Sequence, residues 1–181
     1  MNTAFSASAI VAFWTEAGPG RWFKKDAAFD DQFRVQFAAE HDAAASGLLD
    51  DWATTAEGAL ALMILLDQYP RNSFRGTARM FATDPLALSG AKQAIAHGFD
   101  TAIDPALRSF MYLPFMHSER LAEQDRALEL YAPLGAESER FAVIHRDIIL
   151  RFGRFPHRNA LLGRTTTAQE QAFLDSGGFA G

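Results

Sequence analysis

The chain has 181 residues, 49% of them hydrophobic, with 17 Lys and Arg against 22 Asp and Glu and no cysteine. That length suits one domain over residues 1–181 with a single core, and the composition is too apolar for disorder. Without cysteine there is no disulfide framework, no thiol nucleophile and no Cys-ligated zinc, and the longest apolar run, Ala59 to Leu66, falls far short of the ~20 residues that span a bilayer.

Start and stop signals recur at helical spacing and predict about eight helices. The first runs from near Ser6 or Ser8 to Ala17 and ends at the turn Gly18-Pro19-Gly20. The second starts near Asp26 or Asp30, carries Phe29, Phe33 and Phe37 on one face, and ends before Gly47. Thr54-Thr55-Ala56-Glu57 reads as a capping box that opens a third, almost wholly apolar helix. Pro70 is expected to stop it. Asp84-Pro85 and Asp104-Pro105 each place an N-cap Asp before a first-turn Pro. The first of these two helices ends at His97, and the second breaks before Pro114. A further helix follows Ser118 and runs to Ala132. The next spans about Glu137 to Arg154, with Phe141, Ile144, Ile148, Phe152 and Phe155 as its apolar face. The box Thr167-Ala168-Gln169-Glu170 opens a short last helix. No segment alternates as a hairpin strand would, so the fold class is all-α, with short connections between antiparallel neighbours.

Charge is uneven. His145 to Arg164 holds five arginines against Asp147, a local charge of +4 in a chain of net charge −5. An overall acidic chain argues against a nucleic-acid partner. Met1 to Trp14 has no basic stretch before its apolar residues, which argues against a secretory leader, and the cytoplasm is the expected compartment. No HExxH, phosphate-loop, dinucleotide or nucleophile-elbow pattern occurs, and the five histidines form no i,i+4 pair, so neither a metal nor a cofactor is expected.

Three segments concentrate polar groups. In the first, Leu65 to Arg75, Asp67 lies within about 60° of Leu60, Met63 and Ile64 on a helical wheel, so its carboxylate points toward an apolar face and needs a partner. That partner is Arg71 or a more distant arginine, in a structural pair or a site for acid–base chemistry. The second, Pro114 to Arg120 with Gln124, offers His117 as a titratable group; Ser118 reads as an N-cap, which would put Glu119 in a first turn where the helix dipole favours it. The third, Arg151 to Arg164, presents Arg154, His157, Arg158 and Asn159 around Pro156. Arginine forks suit a phosphate or carboxylate, or else they meet Asp67, Asp84 and Glu119 in an internal charged network. Charge balance predicts that the three segments converge, with Asp67 or Glu119 paired to an arginine of the third.

The same segments carry a resemblance. Phe13-Trp14, Trp22-Phe23, Leu65-Leu66-Asp67-Gln68, Pro70-Arg71-Asn72, His117-Ser118-Glu119 and above all Arg151-Phe152-Gly153-Arg154-Phe155-Pro156-His157-Arg158-Asn159 resemble the bacterial domain of unknown function 924 family over nearly the whole chain. Tyr69, Phe115-Met116, Thr166 and Gln169 depart from its usual residues. The resemblance implies an all-α fold of the tetratricopeptide-like superfamily, with helical hairpins stacked in a right-handed arc, and implies no reaction. Two functions follow as expectations. One is a polar pocket for a small anion built from Asp67, Arg71, Asn72, His117, Glu119, Arg154, His157, Arg158 and Asn159. The other is a non-catalytic module that binds a peptide or protein.

Overall fold

The computed structural model describes residues 5–179, and every regular element among them is helical. Residues 1–4, part of the stretch read for a leader, lie outside the described residues. The chain divides into two compact units, 1–114 and 115–181. No helix among the described residues is long and apolar enough to cross a membrane. Among the described residues, twelve α-helical segments of four to seventeen residues, joined by short 3₁₀ and π turns, replace the eight helices expected, because bends split the longer ones. The tetratricopeptide-like arrangement is not confirmed.

In the first unit, Ser6 caps α1 (Ala7–Ala17) by accepting from Ala9 N–H. After the left-handed Gly18, α2 (Pro19–Trp22) turns Trp22 back so that its Nε1 donates to Trp14 O at 2.6 Å. Asp26 caps α3 (Ala27–Gln36), whose Phe29 and Phe33 pack on Trp14. The second expected helix is in fact two. The backbone opens at the buried Phe37, and α4 (Ala38–Ala45) restarts in a new direction that brings His41 to Leu65.

The capping box expected at Thr54 does not form. Thr55 is the N-cap of α5 (Ala56–Met63) and accepts from Gly58 N–H. The register is shifted by one residue, so Glu57 is not in reach of the cap. Gly58 makes that shift possible, because a Cβ there would lie 2.2 Å from Trp52 O.

Pro70 does not end the helix. The chain widens into a π turn over Ile64–Gln68 and continues as α6 (Tyr69–Ser73), with Pro70 in its first turn. A proline here deprives Leu66 O of its usual i+4 donor. The Thr83 hydroxyl supplies one at 2.6 Å. His41 Nδ1–H donates to the neighbouring Leu65 O at 2.9 Å, and Arg71 donates to Asp67 O at 2.8 Å. Three side chains thus restore what the π turn and the proline remove, and every residue from Ile64 to Pro70 is buried.

Thr83, not Asp84, precedes α7 (Asp84–Ala96), because the Asp84 carboxylate turns to Arg71. The short α8 (Phe99–Ala102) follows. Asp104 does act as a cap, on the 3₁₀ turn Pro105–Leu107. Pro114 lies inside α9 (Arg108–Met116) instead of breaking it. Phe110, Met111, Leu113, Phe115 and Met116 are all buried, which offsets the ~3 kcal/mol cost of a helical proline.

The second unit pairs α10 (Leu121–Tyr131) with α11 (Ala136–Phe152). Of the expected apolar face, Ile148 and Phe155 are buried together with Ile149, and Ile144 and Phe152 pack against them, whereas Phe141 is 40% exposed; Ala142 and His145 complete the buried side of α11. Left-handed Gly153 ends α11, a 3₁₀ turn covers Pro156–Arg158, and α12 (Ala168–Asp175) opens on the expected capping box of Thr167 and Glu170.

If Thr83 carries the π turn, Thr83→Val leaves Leu66 O buried without a donor at nearly constant volume. Denaturant melts should show a loss of about 1–3 kcal/mol with an unchanged m-value. A loss below ~0.5 kcal/mol would mean that the turn does not need this hydroxyl.

Candidate functional site

The first polar segment forms two ion-paired clusters within residues 1–114. Asp67, 1% exposed, lies 3.2 Å from Arg71, and Gln68 Nε2 donates to its other oxygen at 2.6 Å. The Arg71 fork also grips Asp84 through Nη1 and Nη2 at 2.8 and 3.1 Å. Burial opposes the charge of Arg71, but the two carboxylates outweigh it and raise its pKa. Asn72 and Arg75 both donate to Asp30, at 2.6 Å each for the closest contacts.

The second and third segments come together in residues 115–181. Glu119 is not a first-turn residue. The helix starts two residues later with Arg120 as its N-cap, because Ser118 O and Met116 O are both held by Gln124 Nε2 at 2.6 Å. Freed from the helix, Glu119 accepts from both arms of Arg164 at 2.7 and 3.0 Å and from Phe155 N–H at 2.8 Å. Burial pushes the Glu119 carboxyl up, yet the Arg164 fork and the Phe155 amide hold it below the ordinary carboxylate range. The expected pairing of Glu119 with an arginine of the third segment is therefore met, by Arg164.

Arg154 is equally engaged. Its Nε and Nη2 donate to Glu170 at 2.6 and 2.8 Å, and Nη2 also reaches Thr165 O. That fork, with the Thr167 N–H, drives the Glu170 carboxyl far below its usual pKa. One glutamate thus caps α12 and neutralises Arg154. Glu170 and Arg164 were absent from the expected site residues. The capping box was a signal, since it fixes a carboxylate sixteen residues beyond Arg154.

Between these two forks lies the turn Phe155–Asn159. Arg158, 6% exposed, packs its guanidinium over the Phe155 ring at 4.5 Å and donates to His117 O at 3.0 Å. Asn159 is fully buried; its Nδ2 makes a long contact to Thr166, while its Oδ1 has no hydrogen-bond partner among the described residues. His157 Nδ1 is likewise buried without one. Burial and the adjacent Arg158 hold His157 neutral, with a pKa near 4. His145, whose Nδ1–H donates to Phe141 O at 2.7 Å, is pushed down to about 3, chiefly by burial. Its ring stands 4.4 Å from Phe179 and 6.4 Å from His117. Among the described residues no group of three His, Asp or Glu is arranged to hold a metal ion.

The architecture among the described residues is thus all-helical, with the expected site residues of the second and third segments in the loops before α10 and after α11. Residues 10–178 match the family described as "Bacterial protein of unknown function (DUF924)", and the chain belongs to that family. A solved structure of a protein of unknown function from Agrobacterium tumefaciens is 55% identical to it, covers 94% of this chain and 97% of its own, and superposes with a TM-score of 0.92. No curated protein matches.

The buried histidines set a pH dependence. Their folded pKa values lie below the ~6.5 of an unfolded chain, so the unfolded state binds more protons between about pH 6.5 and 4. Stability is fully present above that window and falls with decreasing pH, by up to ~1.4 kcal/mol per unit for each histidine. His157→Phe should flatten this slope in melts taken at pH 6.5, 5.5 and 4.5. An unchanged slope would show that His157 is not buried neutral.

Proposed function

We propose that this protein binds a small anion, a phosphate or a carboxylate, at the turn formed by His157, Arg158 and Asn159, with His117 beside it. The observation that carries the reading is the pair of buried polar atoms at that turn, His157 Nδ1 and Asn159 Oδ1, with no partner among the described residues, next to a buried guanidinium. Buried polar atoms are rarely left so, and a ligand is a common reason. Arg158 supplies charge and His157 a donor. Asn159 Oδ1 accepts, so the ligand that fits carries an O–H or N–H as well as its charge, as a phosphate monoanion or a hydroxy acid does. In this reading Arg154 and Glu119 position the turn through Glu170 and Arg164. Asp67, Arg71 and Asn72 hold their own unit together through Asp84 and Asp30. The runner-up is the interaction module, which would use the exposed Val143 and Leu150 of α11.

Differential scanning at low salt with inorganic phosphate and with malate tests it. A ligand at about ten times its Kd should raise Tm by roughly 3–5 °C. Arg158→Lys should abolish the shift, because the fork is lost while the charge stays. Binding should weaken with salt, and His157 should add no pH dependence between pH 6 and 8, since it is neutral throughout. A shift that survives Arg158→Lys would remove the turn as the site. No shift with either compound would leave the interaction module as the better reading.

A further inference from the structure

A second polar feature lies in the first unit, remote in sequence from the turn just described. An open cleft of about 300 Å³ is lined by Lys25, Asp30, Asp31, Arg34, Ser73 and Arg75, with Ala27 and Asn72 completing it. That volume is at the lower edge of what small-molecule sites occupy. Three cations face two carboxylates, so the lining carries +1 in a chain of net charge −5.

The pairing inside the cleft decides what it can bind. Asp30 is only 12% exposed and is saturated: Arg75 Nε meets Oδ2 at 2.6 Å, while Arg75 Nη2 and Asn72 Nδ2 meet Oδ1 at 3.2 and 2.6 Å. Arg34 and Asp31 pair with each other one helical turn apart. Both carboxylates are therefore already neutralised by the arginines beside them. Lys25 forms no ion pair among the described residues, and Arg75 uses only one edge of its guanidinium on Asp30. The surplus charge of the cleft therefore sits on Lys25. Arg75 is a rigid companion, because Asp30 fixes its plane, and a fixed guanidinium loses little entropy when a second oxyanion meets its outer edge. Asp30 is in turn fixed from α6 through Asn72, so the two walls of the cleft come from different helices joined by one carboxylate.

We infer that this cleft is a second anion site, in which Lys25 and the outer edge of Arg75 hold the headgroup of a small carboxylate or phosphate monoester. Neither residue belongs to the turn at His157–Asn159, so this site stands or falls separately. An arginine whose inner edge is already paired gives direction, and the flexible lysine gives charge without geometric demand. Such a site takes a headgroup of one or two negative charges and binds it weakly at physiological salt, because Lys25 is exposed.

Two-dimensional amide NMR of the full chain tests it, by titration at low salt with sodium malonate and, separately, with phenyl phosphate. The account expects saturable shifts at Lys25, Ala27, Ser73 and Arg75, with Kd below ~10 mM for at least one probe. Lys25→Ala, which removes no internal pair, should weaken that binding at least fivefold. Arg158→Lys should leave it unchanged. A response to malonate alone assigns a carboxylate ligand, and a response to phenyl phosphate alone assigns a phosphate monoester. Absence of saturable shifts at these amides with both probes, or shifts that Lys25→Ala does not weaken, would overturn the site.

Discussion

A carboxylate taken out of water must find a cation or several N–H donors, or it will not stay charged. Five of them meet that demand here and organise much of what surrounds them. Asp30 joins α3 to α6 through Asn72 and Arg75. Asp67 and Asp84 share Arg71 and so link the π turn to the start of α7. Glu119 fastens the loop before α10 to the strap after α11, using Arg164 and the Phe155 amide. Glu170 does the same for α12 through Arg154. Asp30, Asp84, Glu119 and Glu170 each meet an arginine fork, and that planar two-point contact fixes direction as well as distance.

This pairing divides the arginines of the third segment. Arg154 and Arg164 are each held by a glutamate on two arms, while Arg158 packs over the Phe155 ring and donates to the His117 backbone carbonyl. The two glutamate forks bracket the turn Phe155–Asn159 and hold it in place. Pro156 restricts its backbone further. A turn held this firmly can hold buried polar atoms that the other described residues do not satisfy, and this is the physical basis for reading it as a binding element.

Local signals in the sequence were legible where one residue and its near neighbours decide the outcome. The Thr167–Glu170 box depends on contacts within three residues, as do the Asp26 and Ser6 caps, each of which was one of two candidates offered by the sequence. Signals failed where a distant partner overrode them. Pro70 reads as a stop, but Thr83 and His41, seventeen and twenty-four residues away from the carbonyls they serve, let the helix pass through it. Ser118 reads as a cap, but Gln124 draws the Met116 and Ser118 carbonyls together and moves the helix start to Leu121, which releases Glu119 for Arg164. The need of Glu119 for an arginine was legible from charge alone. Its choice of Arg164 over Arg154 or Arg158 was not, because nothing in the local sequence states that Glu170 already holds Arg154.

Glu119 and Arg164 form a coupled, partly buried pair on which the strap depends. A double-mutant cycle of Glu119→Gln and Arg164→Gln, read by denaturant melts at pH 7, measures it most directly. The account predicts a coupling energy of about 1.5–3 kcal/mol. A coupling below ~0.5 kcal/mol, the level of an ordinary surface pair, would contradict it.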